Sequence, residues 1–405
     1  MEVGYLSEYF EGIGAKRLTA VEIDPITSNQ HEFQGVHQLK QILGESSEKM
    51  KFSATYIRLA DDSDPETVES FATWSNVRRD NPNRSAEYHM YYSSTAAPLV
   101  HNCKPDDLLI IAKRSDNSLA IILVEHQSTY EEQLCWLFAI TDDLNRLNVS
   151  EIKKNSNREL HFATRFILGE LGIDVELADE RWLDLIISEI GEEFPSTSIF
   201  SSFARSSIKE NITLENPDIA LLDWLEHEEI LFRTLERHIV SKRLEIGFDD
   251  VDNFISYSLS VQNRRKARAG FALENHLEYI FQNLNIKYSR GQVTENKSKP
   301  DFVFPDISCY RDLNFPSKYL TMLGVKSTCK DRWRQVLSEA SRINNKHLFT
   351  LEPAISQNQT NEMISNNLQL VIPEGLHSSY NTEQQKWLLK LYEFIEIVKD
   401  RQYNS

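Results

Sequence analysis

Cysteine is scarce in this 405-residue chain: Cys103, Cys135, Cys309 and Cys329 lie far apart and never form a C-x-x-C pair. That spacing argues against a cysteine-built zinc site and a disulfide framework, and it makes a reducing cytoplasm the expected compartment. Long apolar runs are also missing. None approaches the length that crosses a bilayer, so no membrane association is expected. The opening MEVGYLSEYFEG carries acidic charge where a signal peptide has a basic segment and an apolar block, so none is expected here. There is no internal repeat and no low-complexity tract. Positive charge is the last shortage: 44 Lys and Arg stand against 61 Asp and Glu, a formal net charge of −17. Taken globally, that balance opposes binding to a nucleic acid, whose phosphates attract cations.

The charge, however, is segregated. Residues 171–260 hold 7 basic against 20 acidic residues, and residues 261–340 hold 14 against 8. A basic segment directly follows an acidic one, and the acidic one is able to mask it. With 40% hydrophobic residues and this length, two domains are expected.

The first part reads as β-rich. KFSATYIRL (51–59), AEYHMYYS (86–93), DLLIIAKR (107–114) and SLAIILVEH (118–126) are β-branched and aromatic, and SDN joins the last two as a hairpin turn. WSNVRRDNPNRS (74–85) reads as a long polar loop. The pattern predicts a barrel-like β domain over residues 1–178. A linker is expected at 179–200, where EEFPSTS combines Pro and Ser after acidic residues. From 201 to 405 the chain predicts an α/β domain. Amphipathic helices are expected at 221–240, 264–285, 331–344 and 382–400, and short strands at 300–306, 319–326, 346–352 and 368–374.

Asp301 opens one of those strands after Pro300, and Lys326 ends another. Mg²⁺ takes oxygen ligands, so a metal-dependent nuclease needs carboxylates. A neighbouring lysine can orient the attacking water and offset phosphate charge. Asp and Lys on adjacent strands fit the PD-(D/E)-x-K arrangement, with one defect: the position two before Lys326 is Gly324, not an acid. Glu339, on the helix predicted for 331–344, is the candidate second carboxylate. Glu274, on the helix before the sheet, is an accessory one. Lys330, Asp331, Arg332 and Arg334 cluster just after the lysine strand. Basic side chains donate to guanine and a carboxylate accepts from cytosine, so this cluster suits adjacent G·C and C·G pairs. The run Arg264, Arg265, Lys266 and Arg268 is a candidate for phosphate contacts, with a solvated helix face as the plainer reading.

Together, NRRKARAGFALENHLEYIF (263–281), KPDFVFPDISCYRD (299–312), VKSTCKDRWRQVLSEA (325–340) and KHLFTLE (346–352) resemble, in order and spacing, stretches of the EcoRII-type restriction endonucleases. In that family the motif's acid has moved onto the following helix. The resemblance implies a Mg²⁺-dependent nuclease with Asp301 and Glu339 as metal ligands, Lys326 as catalytic lysine and Tyr310 as a further active residue. It also implies reading of a CC-W-GG or CC-N-GG site by a homodimer, with a cognate DNA methyltransferase as system partner. For residues 1–178 it implies a B3-like β-pseudobarrel that binds a second copy of the site and regulates cleavage, with His31, Arg78, Arg79 and Arg84 as candidate contacts. The competing expectation is a DNA-binding regulator whose nuclease domain is inactive.

Overall fold

The computed structural model describes residues 6–27, 31–34, 37–46, 48–79, 83–140, 148–151, 162–173, 179–208, 213–329 and 332–405. The chain divides into two compact units, Met1–Val175 with Ala354–Gln359, and Glu176–Pro353 with Thr360–Ser405. No helix among the described residues is long and apolar enough to cross a membrane.

The first unit is built on one mixed sheet. Its strands are β1 (Phe10–Arg17), β2 (Glu32–Phe33), β3 (Met50–Leu59), β4 (Glu66–Asn76), β5 (Tyr88–Tyr92), β6 (Leu108–Arg114), β7 (Leu119–Val124) and β8 (Asn148–Glu151), in the order β2-β5-β4-β3-β7-β6-β1-β8. All neighbours are antiparallel except β3 and β7. The expected hairpin is present: Arg114 N–H donates to Ser118 O at 2.9 Å, and Asn117 takes a φ of 66°, which its short polar side chain tolerates. Four strands, β1, β2, β4 and β8, escaped the sequence reading. β4 carries Glu66 and Glu69, both exposed though on opposite faces, and Arg58 pairs with Glu66 at 2.9 Å while Thr55 donates to Glu69 at 3.1 Å across the β3–β4 ladder. Cross-strand partners therefore stabilise a segment whose acids argue against a strand. The loop read at 74–85 accordingly begins within β4, with Trp74 fully buried.

The second unit places helices around a smaller sheet. The stretch 179–200, expected as a linker, instead contains α1 (Leu183–Ile190) and the start of α2 (Thr197–Ser207). Ile186 and Phe200 enter a core with Leu231, Phe232 and Leu235, so apolar burial overrides the Pro and Ser punctuation. Two long helices follow, α3 (Pro217–Ile246) and α4 (Val251–Asn283). Asn216 accepts the Ile219 N–H at 3.2 Å and Asp250 accepts that of Asn253 at 2.7 Å, side-chain caps that set both starts. The strands are β9 (Ser289–Arg290), β10 (Phe302–Phe304), β11 (Thr321–Lys326), β12 (Lys346–Thr350) and β13 (Leu368–Val371), in the order β13-β12-β11-β10-β9. β9, β10 and β11 run antiparallel to one another, while β11, β12 and β13 are parallel. Short helices α5 (Ile307–Arg311) and α6 (Trp333–Leu337) sit in the connections, and α7 (Leu391–Tyr403) closes the chain. Phe281 of α4 meets Phe302 and Phe304 edge-on at 5.2 and 5.3 Å, and Phe304 meets Phe394 of α7 at 5.9 Å. This aromatic cluster fixes α4 and α7 against β10.

The basic run on α4 is partly engaged within the protein. Arg265 pairs with Glu236 at 2.6 Å, Arg268 with Glu228 at 3.3 Å and with Glu229, and Arg264 stacks on Phe194 at 4.0 Å. Arg268 and Glu228 are both buried, and His276 reaches the other Glu228 oxygen at 2.9 Å. Of the four residues read as candidate phosphate contacts, Arg264 and Lys266 are exposed, Arg265 is half-buried and Arg268 is buried.

Candidate active site

The site forms where β10 and β11 meet. Phe302 pairs with Leu323, which carries Asp301, one residue earlier, beside the end of β11. There Asp301 Oδ2 accepts the Val325 N–H at 2.6 Å and the Lys326 Nζ at 3.0 Å. Lys326 also donates to the Val325 carbonyl at 3.0 Å, and both side chains are mostly buried. The two strand ends thus deliver the acid–lysine pair expected from the sequence.

Gly324 explains the missing acid of the motif. A Cβ built there would stand 2.9 Å from Val336 Cγ2 and 3.1 Å from Cγ1. Val336 and Trp333 are the buried face of α6, so the helix occupies the space a side chain at 324 would need. An acid cannot sit there without displacing α6, and it must come from another element. Gly324→Ala is expected to cost about 1–3 kcal/mol through this overpacking, measurable by urea denaturation; an unchanged midpoint would refute the close packing.

Glu339, the candidate second acid, lies near this pair, on a turn rather than a helix. The helix expected over 331–344 spans only Trp333–Leu337. Ala340 takes a φ of 46°, a left-handed conformation that ends helical continuation. Burial raises the Glu339 pKa to about 7; the Lys326 charge lowers it, Asp301 raises it and Lys346 lowers it. Its Oε2 is buried without a hydrogen-bond partner. Glu274 lies two helical turns before Phe281, on the same face of α4. Burial and then the Asp301 charge push its pKa up, while Arg290, 2.9 Å away, works against them.

Tyr310 is buried in α5. It donates to Glu295 Oε2 at 2.6 Å and accepts the Arg342 backbone N–H at 3.3 Å. Burial, then Glu295, pushes its pKa up to about 12. Among the base-reader candidates, Lys330 and Asp331 lie outside the described residues. Arg332 is exposed at the start of α6, and Arg334 pairs with Glu362 at 2.9 Å. Sequence reasoning missed Arg290, Glu295, Arg342 and Lys346; Lys346 opens the KHLFTLE stretch, the other three lie outside every motif, and only the fold brings them to these positions.

In the first unit, the candidate contacts fall at opposite ends of β5. His31 stacks on Tyr92 at 5.3 Å and meets His101 edge-on at 5.8 Å. Arg78, Arg79 and Arg84 follow β4 near Tyr88, roughly 13 Å away along the strand at about 3.3 Å per residue. Arg78 is paired with Glu87, and Arg79 and Arg84 are exposed.

Asp301 and Glu339 give two oxygen donors beside one ammonium, and the unpartnered Glu339 oxygen suits a hard cation. Among the described residues no three His, Cys, Asp or Glu side chains converge as a closed metal cage. A two-carboxylate donor set fits Mg²⁺, which commonly fills its remaining positions with water and substrate phosphate.

A family model described as EcoRII C terminal matches residues 232–395, a span that contains Glu274, Asp301, Tyr310, Lys326 and Glu339 and none of the candidate contacts of the first unit. The type II restriction enzyme EcoRII of Escherichia coli is 36% identical over 278 residues, covering 68% of this chain and 68% of that protein. The chain belongs to the EcoRII family of type II restriction enzymes. In this EcoRII-family member, Asp301, Lys326 and Glu339 all fall within the matched segment. Among solved structures, a complex of the restriction endonuclease PspGI with substrate DNA aligns with a TM-score of 0.45 and 15% identity, covering 52% of this chain and 95% of that one. Metal-depleted Ecl18kI with uncleaved DNA aligns with a TM-score of 0.46 and 17% identity, covering 55% and 84%.

Proposed function

We propose that this EcoRII-family chain is a Mg²⁺-dependent endonuclease that cuts both strands of duplex DNA at a short palindromic CC-W-GG or CC-N-GG site. It acts as a homodimer in the cytoplasm, since a palindrome read by two equal halves calls for twofold symmetry. A cognate methyltransferase protects the host's own sites. The observation that carries the reading is the convergence of Asp301, Lys326 and Glu339, with a buried Glu339 oxygen free to bind a cation.

Asp301 and Glu339 would hold the ion, which supplies an activated water and neutralises charge on the phosphate. Asp301 is oriented for this by the Val325 amide and the Lys326 ammonium, both of which donate to Oδ2. Lys326 keeps an ammonium beside the scissile phosphate, where it offsets the charge building on the oxygens and orients the attacking water. Glu274 adds negative charge nearby and, held by Arg290, acts at one remove. Lys330, Asp331 and Arg332 read the C·G pairs, with Arg334 flanking them. In the first unit His31, Arg78, Arg79 and Arg84 contact a second copy of the site, and that unit restrains cleavage.

The test is digestion of unmethylated phage DNA with Mg²⁺ or with EDTA, followed by sequencing of the fragment ends. Discrete Mg²⁺-dependent ends at CC-(N or W)-GG are expected. Retained binding with no cleavage would favour a regulator with an inactive nuclease domain. The same digest with a chain beginning at Glu176 addresses regulation: faster cutting at isolated sites is expected, and a slower or inert fragment would sink the restraint.

A further inference from the structure

The two acids of the site are held very differently. Asp301 is fixed by the sheet and by the Val325 amide. Glu339 hangs on an irregular turn, its Oε2 buried and unpartnered, with no ladder to hold it. Something else must keep the turn in place, and three residues later the chain provides it. Arg342 Nη1 donates to the carbonyl oxygens of Tyr310 and Asp312, the latter at 2.9 Å, and Nη2 donates to that of Phe315 at 2.8 Å. Its own backbone N–H donates to the Tyr310 hydroxyl at 3.3 Å, and that hydroxyl donates to Glu295 at 2.6 Å. One planar guanidinium therefore gathers three carbonyls from α5 and the loop after it, a geometry that a lysine's single ammonium on a flexible stem does not reproduce.

We propose that Arg342 is a positioning residue for Glu339, braced by Tyr310 and Glu295, and that Tyr310 serves the reaction through this clamp rather than by touching DNA. The inference rests on the reading of Asp301 and Glu339 as the metal-holding pair. A carboxylate moved from a strand to a turn loses the rigidity of the sheet, and the clamp restores it. Partners behind metal ligands commonly carry such an effect, and their loss weakens metal affinity or activity by about 10–100-fold.

The test introduces Arg342→Lys, Tyr310→Phe and Glu295→Gln separately into two backgrounds. In a Lys326→Ala protein, which cuts slowly enough for the titration to finish first, calorimetry on the complex with site DNA reads Mg²⁺ affinity directly. Arg342→Lys is expected to weaken it by about 10–100-fold, and the two single-bond variants by about 10-fold. In the cleaving protein the Mg²⁺ concentration for half-maximal rate should rise by the same factor. The rate at saturating Mg²⁺ and the metal-free DNA affinity should stay near wild type. Unchanged Mg²⁺ affinity, or a rate that excess Mg²⁺ does not restore, would overturn the clamp. If Arg342→Lys fails to fold by circular dichroism, the other two variants decide by the same criterion. Asp301→Asn and Glu339→Gln serve as controls. If they too leave Mg²⁺ affinity intact, the metal-site reading fails; if they alone weaken it, only the clamp fails.

Discussion

Replacing Lys326 by alanine is expected to leave a protein that binds duplex DNA normally and cuts it about 10²–10³-fold more slowly, the scale seen when one preorganised charge-stabilising donor is removed. Lys326 ends β11 with Nζ 3.0 Å from Asp301 Oδ2, and it lowers the pKa of both Glu339 and Glu274. Its loss removes the ammonium that faces the reacting phosphate. It also leaves three carboxylates near one another with less to balance them, so both glutamates should hold their protons to higher pH. The residual activity should therefore rise with pH further into the alkaline range than in the wild type. Single-turnover cleavage in Mg²⁺, paired with filter binding in Ca²⁺, separates the two effects. Wild-type cutting by this variant would remove Lys326 from the mechanism.

Glu339→Gln is expected to move activity and stability in opposite directions. Cleavage should fall by about 10²-fold or more as one of two metal-holding carboxylates becomes neutral. The metal-free protein, however, should become more stable above neutral pH. In the folded state Glu339 titrates at about 7, against an ordinary value of 4.5. Between those values the folded chain keeps a proton that the unfolded chain has released, so stability drops as pH rises through that window. Glutamine carries no such penalty. The gain at pH 8 is on the order of 1 kcal/mol once solvent screening of a half-buried group is allowed for, or about 2–4 °C for a unit of this size. Melting curves in EDTA at pH 5 and pH 8 should differ more for wild type than for the variant, and added Mg²⁺ should stabilise only the wild type. Parallel curves would mean that the Glu339 carboxylate is not desolvated.

Much of this site is legible in the sequence because strands declare themselves locally. The FVF of β10 and the TMLGVK of β11 are short apolar runs, and Asp301 and Lys326 flank them at predictable ends. Gly324 was visible as a departure, but its reason was not: only the packed structure shows Val336 filling that space. Glu339 is legible as an acid on the segment that follows the lysine strand, while its local conformation is not. Helical periodicity ran on through Ile343, and nothing in the residue types announces the positive φ of Ala340. The clamp at Arg342 was invisible for a related reason, since its partners are carbonyls about 30 residues earlier. In the first unit β4 was lost because its exposed acids find partners only across the ladder.

The arginines of α4 bear on how salt should act on this protein. A cation strengthens DNA binding largely by displacing ions condensed on the phosphates. Arg265 and Arg268 already face Glu236, Glu228 and Glu229, so they have little to displace. The same pairing removes those glutamates from the field that DNA meets. The net charge of −17 thus overstates the repulsion, and the lysine and arginine count of the 261–340 segment overstates the ionic-strength dependence. Grip on the backbone falls to the exposed cations of the segment, such as Lys266, Lys287, Lys297, Lys299 and Lys318, while Arg265 and Arg268 act as internal scaffolding.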